Sequence, residues 1–160
     1  MRGTLVLAIA FLFSIGTVFA QTVTTPADVN LNVNNEISIT KIRDLRMGTV
    51  VQGTTTSVNI NPLSSGSSAY FTLTASPNSS ETITFSSTNL TNGSGTIMFT
   101  GALAGNDQPI QPRAILIVSG NAITTNATGD FYLWAGGSAA LSPNQAIGEY
   151  TGSFTVSVVY

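Results

Sequence analysis

The sequence predicts an all-β fold, a sandwich or barrel of short antiparallel strands. Three observations lead there. Apolar and polar residues alternate with period two in short runs, because successive side chains of a strand leave opposite faces of a sheet. Clusters of Gly, Asn, Ser and Pro separate those runs, as turns between strands do. No long stretch carries an apolar helical stripe with capping residues, so little helix is expected.

Taken in order, the first twenty residues stand outside the fold. Arg2 supplies a positive start, Leu5 to Phe13 is unbroken apolar sequence, and Val18-Phe19-Ala20 ends it with small residues where a signal peptidase reads. This is the layout of a secretory signal, cleaved after Ala20. The apolar run falls short of the roughly twenty residues a spanning helix needs, so residues 1–20 are expected to leave no anchor. No later segment is long or apolar enough to form a transmembrane helix, and the mature chain is expected in the periplasm, at the outer surface or outside the cell.

Residues 21–34 form an extension or a first strand. Val29, Leu31, Val33, Ile37 and Ile39 share one parity, while Asn30, Asn32, Asn34, Ser38 and Thr40 take the other. The domain proper, residues 35–160, continues with runs at Val58–Ile60, Tyr70–Ala75, Thr82–Phe85, Thr96–Phe99, Ala114–Val118, Phe131–Trp134 and Tyr150–Tyr160. Turns are expected at Ser64–Ser68, Pro77–Ser80, Asn92–Gly95, Gly105–Asp107, Gly120-Asn121 and Gly136-Gly137. The mixed run Lys41–Arg46 reads as a charged strand edge that discourages unwanted pairing. The last run is the clearest: Tyr150, Phe154, Val156, Val158 and Tyr160 point one way as a C-terminal core strand, against Thr151, Ser153, Thr155 and Ser157.

Composition excludes much chemistry. The chain has 160 residues, 42% hydrophobic and only 8% charged, with no His and no Cys. Ser-His-Asp triads, cysteine nucleophiles and His-ligated metals are therefore absent. Its seven acidic residues outnumber five basic ones, which leaves no basic footprint for nucleic acid. The acids are scattered singly, so the paired carboxylates of a glycosidase are not evident. Calcium held by Asn106, Asp107 and Asp130 lacks a spaced acidic loop. No cofactor and no metal are expected, and the protein is not expected to be an enzyme.

Two segments carry a resemblance. Leu133-Trp134-Ala135-Gly136-Gly137, Leu141 and Gly148-Glu149-Tyr150-Thr151-Gly152-Ser153-Phe154-Thr155-Val156, with the earlier Leu45-Arg46-Met47-Gly48-Thr49-Val50, resemble the bacterial secreted family DUF4402. A glycine-rich hairpin followed by a Gly-x-Tyr-x-Gly-x-Phe-x-Val strand marks that family. The resemblance implies an immunoglobulin-like antiparallel β-sandwich exported by Gram-negative bacteria, similar in outline to Mat/Ecp-type fimbrial subunits. It brings no catalytic residues. It also gives residues 21–34 a meaning: with Val29, Leu31 and Val33 in alternation, they form either the domain's own first strand or an assembly strand donated to a neighbour's sheet.

Two roles follow as expectations. In the first, the chain is a fimbria-like or adhesive surface subunit, its partners being copies of itself or other surface subunits. In the second it is a monomeric secreted module binding a glycan or host protein through Asn106, Asp107 and Trp134. Tyr132 and Trp134 share a parity opposite to Phe131 and Leu133, so Trp134 either stacks on a sugar or packs in the core. The smallest outer-membrane barrel, which also ends on an alternating aromatic strand, is a third architecture of comparable length.

Overall fold

The computed structural model describes residues 36–160 apart from Thr55. Ten strands form among the described residues: β1 (Ser38–Arg43), β2 (Ser57–Ile60), β3 (Ala69–Thr74), β4 (Ser80–Ser87), β5 (Leu90–Thr91), β6 (Thr96–Asn106), β7 (Ile115–Ile117), β8 (Asn121–Thr124), β9 (Asp130–Ala140) and β10 (Phe154–Val159). A short 3₁₀ turn, Gln111–Arg113, precedes β7. Among the described residues no helix is long and apolar enough to cross a membrane.

The strands make two antiparallel sheets, a β-sandwich. β9 is the axis of the larger sheet. One of its edges takes β3 along Asp130–Ala135 and then β2 along Gly137–Ala140, and its other edge takes β6. β1 closes the larger sheet beyond β3, while β5 and β7 share the far edge of β6. The smaller sheet has three strands in the order β10-β4-β8. A tight turn from β7 to β8 carries the chain between sheets, held where the Gly120 amide donates to the Ile83 carbonyl at 2.8 Å.

The core sits where alternate residues of the two sheets meet. Phe71, Leu73, Leu103, Phe131 and Leu133 of the larger sheet enclose Ile83 of the smaller, with Phe85, Val156 and Val158 half-buried against them. Leu73, Ile83 and Leu133 are fully buried, and each such side chain contributes about 1.5–3 kcal/mol by leaving water. At one end, Thr125 and Ser79 tie the β3–β4 turn to the β8–β9 loop. The Thr125 hydroxyl donates to the Ser76 carbonyl at 2.7 Å and accepts from the Ser79 amide at 3.0 Å. Buried Glu81 accepts from the Ser79 hydroxyl at 2.6 Å through Oε1.

Several sequence expectations change in extent. The runs at Thr96–Phe99 and Phe131–Trp134 are the starts of strands of 11 residues each. Gly136-Gly137 is not a turn but the middle of β9. A Cβ on Gly136 would collide with the Ile60 carbonyl, and one on Gly137 with the Thr100 carbonyl. Glycine there is the condition for β2 and β6 to close on β9 from both sides, and Gly137 also has φ +145°. At the C terminus only Phe154–Val159 is strand. Tyr150 precedes it in a loop, its hydroxyl donating to the Ala146 carbonyl at 2.8 Å and accepting from Gln145 at 2.7 Å. Tyr160 lies beyond it and is exposed.

Candidate functional site

The two sheets do not match in width. Among the described residues the larger is five strands across along β1-β3-β9-β6-β5, and the smaller is three. The β7–β8 turn closes the sandwich beside β8. At the other margin β10 pairs only with β4, from Phe154 opposite Ser87 to Val159 opposite Thr82. Among the described residues nothing pairs with the second edge of β10.

Alternation along β10 decides what that open edge exposes. Phe154, Val156 and Val158 turn toward the core, and Thr155, Ser157 and Val159 face outward. The inward row is only half-buried, although Phe154 stacks on Phe85 with ring centroids 5.5 Å apart. At the Phe154 end of this row lies a cavity of about 1020 Å³ over the larger sheet, lined by Leu45, Met47, Phe71, Phe99, Tyr150 and Phe154 among others. A recess with an apolar floor and polar margins, meeting an unpaired strand edge at Phe154, offers side-chain pockets and backbone donors and acceptors together.

Charge guards the margin of the recess. Lys41 and Asp44, both exposed, form an ion pair at 2.6 Å. The hydrogen bond from Lys41, and then its charge, hold the Asp44 carboxyl below the usual carboxylate value. β1 itself is exposed throughout and forms the edge of the larger sheet, which suits the charged run Lys41–Arg46.

The residues singled out from sequence fall in different places. Val29, Leu31 and Val33 lie outside the described residues. Phe154, Val156 and Val158 stand together on β10 at the open edge, whereas Tyr150 contributes to the cavity from the preceding loop. Trp134 is buried, yet not against the facing sheet. It lies on the outer face of the larger sheet with Ala104 and Ala114, packed by Leu63, Tyr70 and Tyr132. Asn106 ends β6 opposite Tyr132. Asp107 is exposed, and its carbonyl accepts from Asn126 at 3.0 Å. Asp130 accepts from Thr128 at 2.7 Å and Thr74 at 3.2 Å, and among the described residues no group of three or more acids is placed to hold a metal ion.

Sequence reading put Phe85 in the run Thr82–Phe85 and Leu45 and Met47 in the family resemblance, but did not bring them together at the recess; it missed the width mismatch, which is a property of pairing rather than of any segment. The fold thus defines an antiparallel β-sandwich domain in which, among the described residues, one strand edge is unpaired beside a recess of mixed apolar and polar lining. The family model described as a domain of unknown function, DUF4402, matches residues 37–160, and the chain belongs to that family. No curated protein matches the chain.

Proposed function

We propose that the protein is an exported surface subunit, structural or adhesive, that assembles by strand addition at the open edge of β10. The donated strand is the segment carrying Val29, Leu31 and Val33 of a neighbouring copy. The half-buried row Phe154, Val156 and Val158, which meets the recess at Phe154, carries the reading: apolar side chains that face a core but keep contact with water gain free energy when a further strand covers them. Alternate apolar residues at 29, 31 and 33 supply such a strand, and their Asn partners leave its other face polar. Backbone hydrogen bonds would supply strength, and pocket fit the register. The role is non-enzymatic, since a chain with no His and no Cys lacks the commonest groups for proton transfer and nucleophilic attack near neutral pH.

Size-exclusion chromatography and electron microscopy of the mature protein, with and without residues 21–34, test it. Filaments or ladders that vanish on truncation are the expected result. A well-folded monomer in both forms would leave the chain a monomeric secreted binding module instead.

A further inference from the structure

A separate face of the molecule carries its own chemistry. Side chains of the larger sheet that point away from the core form cross-strand rows fixed by the register. One row runs Arg43, Tyr70, Trp134, Ala104, and the next runs Thr40, Thr72, Tyr132, Asn106. Tyr70 stacks on Trp134 with centroids 5.3 Å apart and planes 19° from parallel. Trp134 is sealed beneath, while Tyr70, Tyr132, Thr72 and Asn106 stay half-exposed and Arg43 and Thr40 are exposed.

The margin of this face is built rather than loose. The Gln111 amide donates to the Pro62 carbonyl at 2.8 Å, the Ser68 hydroxyl at 2.9 Å and the Ser65 carbonyl at 3.1 Å. It thereby clamps the 3₁₀ turn to the segment before β3. Arg43 joins the same ridge by donating from Nε to the Ser68 carbonyl at 2.9 Å. The guanidinium forms no ion pair within the described residues, since Lys41 takes Asp44. Partial burial, and then the neighbouring Tyr132, push the Tyr70 phenol above its ordinary value, with Arg43 opposing them. The Tyr70 phenol therefore presents its hydroxyl beside the Arg43 charge.

We infer that this face, Tyr70 and Tyr132 with Thr72, Asn106 and Arg43, binds a carboxylate-bearing pyranose of an acidic polysaccharide. A pyranose offers a face of C–H groups to an aromatic ring and equatorial hydroxyls to flanking amide and hydroxyl groups. Its carboxylate meets the terminal nitrogens of the Arg43 guanidinium, which Nε holds in place through Ser68. A preordered aromatic floor loses little entropy on binding. Asp130, one row further along β9, is already engaged by Thr74 and Thr128.

The test uses the single tryptophan of the chain, since Trp134 reports directly on Tyr70. Oligogalacturonate is titrated into the full mature protein while tryptophan fluorescence is followed, with dextran oligomers as the neutral control. The expected result is a saturable change with oligogalacturonate, weakened by salt and absent with dextran. Arg43→Gln and Tyr132→Ala each reduce affinity about tenfold or more, the loss of one charge-assisted contact or one stacking surface. Asn106→Ala, outside the aromatic stack, also weakens binding and guards against a folding defect in the other two. No saturable change in the wild type, equal response to dextran, or unaltered affinity in all three variants with wild-type thermal unfolding overturns the inference.

Discussion

Gly101→Ala tests how the start of β10 is seated. A Cβ at this position would stand 2.5 Å from Cε2 and 2.9 Å from Cδ2 of Phe154, and 3.2 Å from the Ser87 Cβ. Carbon atoms in contact prefer 3.5–4.0 Å, so the Phe154 ring must retreat by about 1 Å. It then loses its 5.5 Å stack on Phe85 and loosens the first residue of β10 from Ser87. Overpacking of this kind costs about 1–3 kcal/mol. Urea unfolding followed by circular dichroism measures the cost. Phe154→Leu removes the obstructing ring edge, so the double variant should be less destabilised than the two single costs together by about 1 kcal/mol. Strict additivity, or a neutral Gly101→Ala, would show that Gly101 and Phe154 do not touch and would refute the seating of β10 described above.

Other expectations follow from single contacts. Thr125→Val should cost about 0.5–1.5 kcal/mol for each hydrogen bond lost, since the Thr125 hydroxyl donates to the Ser76 carbonyl and accepts from the Ser79 amide, and equilibrium unfolding indistinguishable from wild type contradicts it. Trp134→Ala should cost about 3–5 kcal/mol, because Trp134 is buried under Leu63 and Ala114; a loss below about 1 kcal/mol would mean that this cover is loose. Lys41→Ala should let the Asp44 carboxyl titrate at higher pH, read by NMR, since Lys41 is the main cause of its depression. The sign is fixed: a depressed carboxyl adds stability above its unfolded pKa and loses it as pH falls through the folded value. The part of any stability difference between wild type and Lys41→Ala that comes from this ion pair therefore vanishes in acid.

The fold was legible because strands alternate and their separators are turn-forming residues. Tyr70–Ala75 and Val58–Ile60 align closely with β3 and β2, and the charged run Lys41–Arg46 does begin on an edge strand. Two kinds of feature stayed hidden. β5, with 2 residues, is too short to establish a period, and β8, Asn-Ala-Ile-Thr, does not alternate. Glycines within β6 and β9 read as breaks, although Gly105 makes room for Phe131 and Gly136 for the Ile60 carbonyl: sequence shows what a residue permits, and only the packed neighbours show what they require. The candidate site divides the same way. The alternation of Phe154, Val156 and Val158 was visible, whereas the edge they occupy depends on sheet width. Trp134 was placed on the correct parity, but its cover comes from Leu63 and Ala114, far away in sequence.

Hydrogen exchange along β10 bears most directly on the open edge. Amides of residues 154–159 are compared in the mature chain and in a chain beginning at residue 35, across a range of protein concentrations. Strand addition by a neighbour should protect alternate β10 amides in the longer chain, increasingly at higher concentration, and leave them fast in the shorter one. Equal protection in both chains at every concentration would contradict it, since β10 would then need no donated strand.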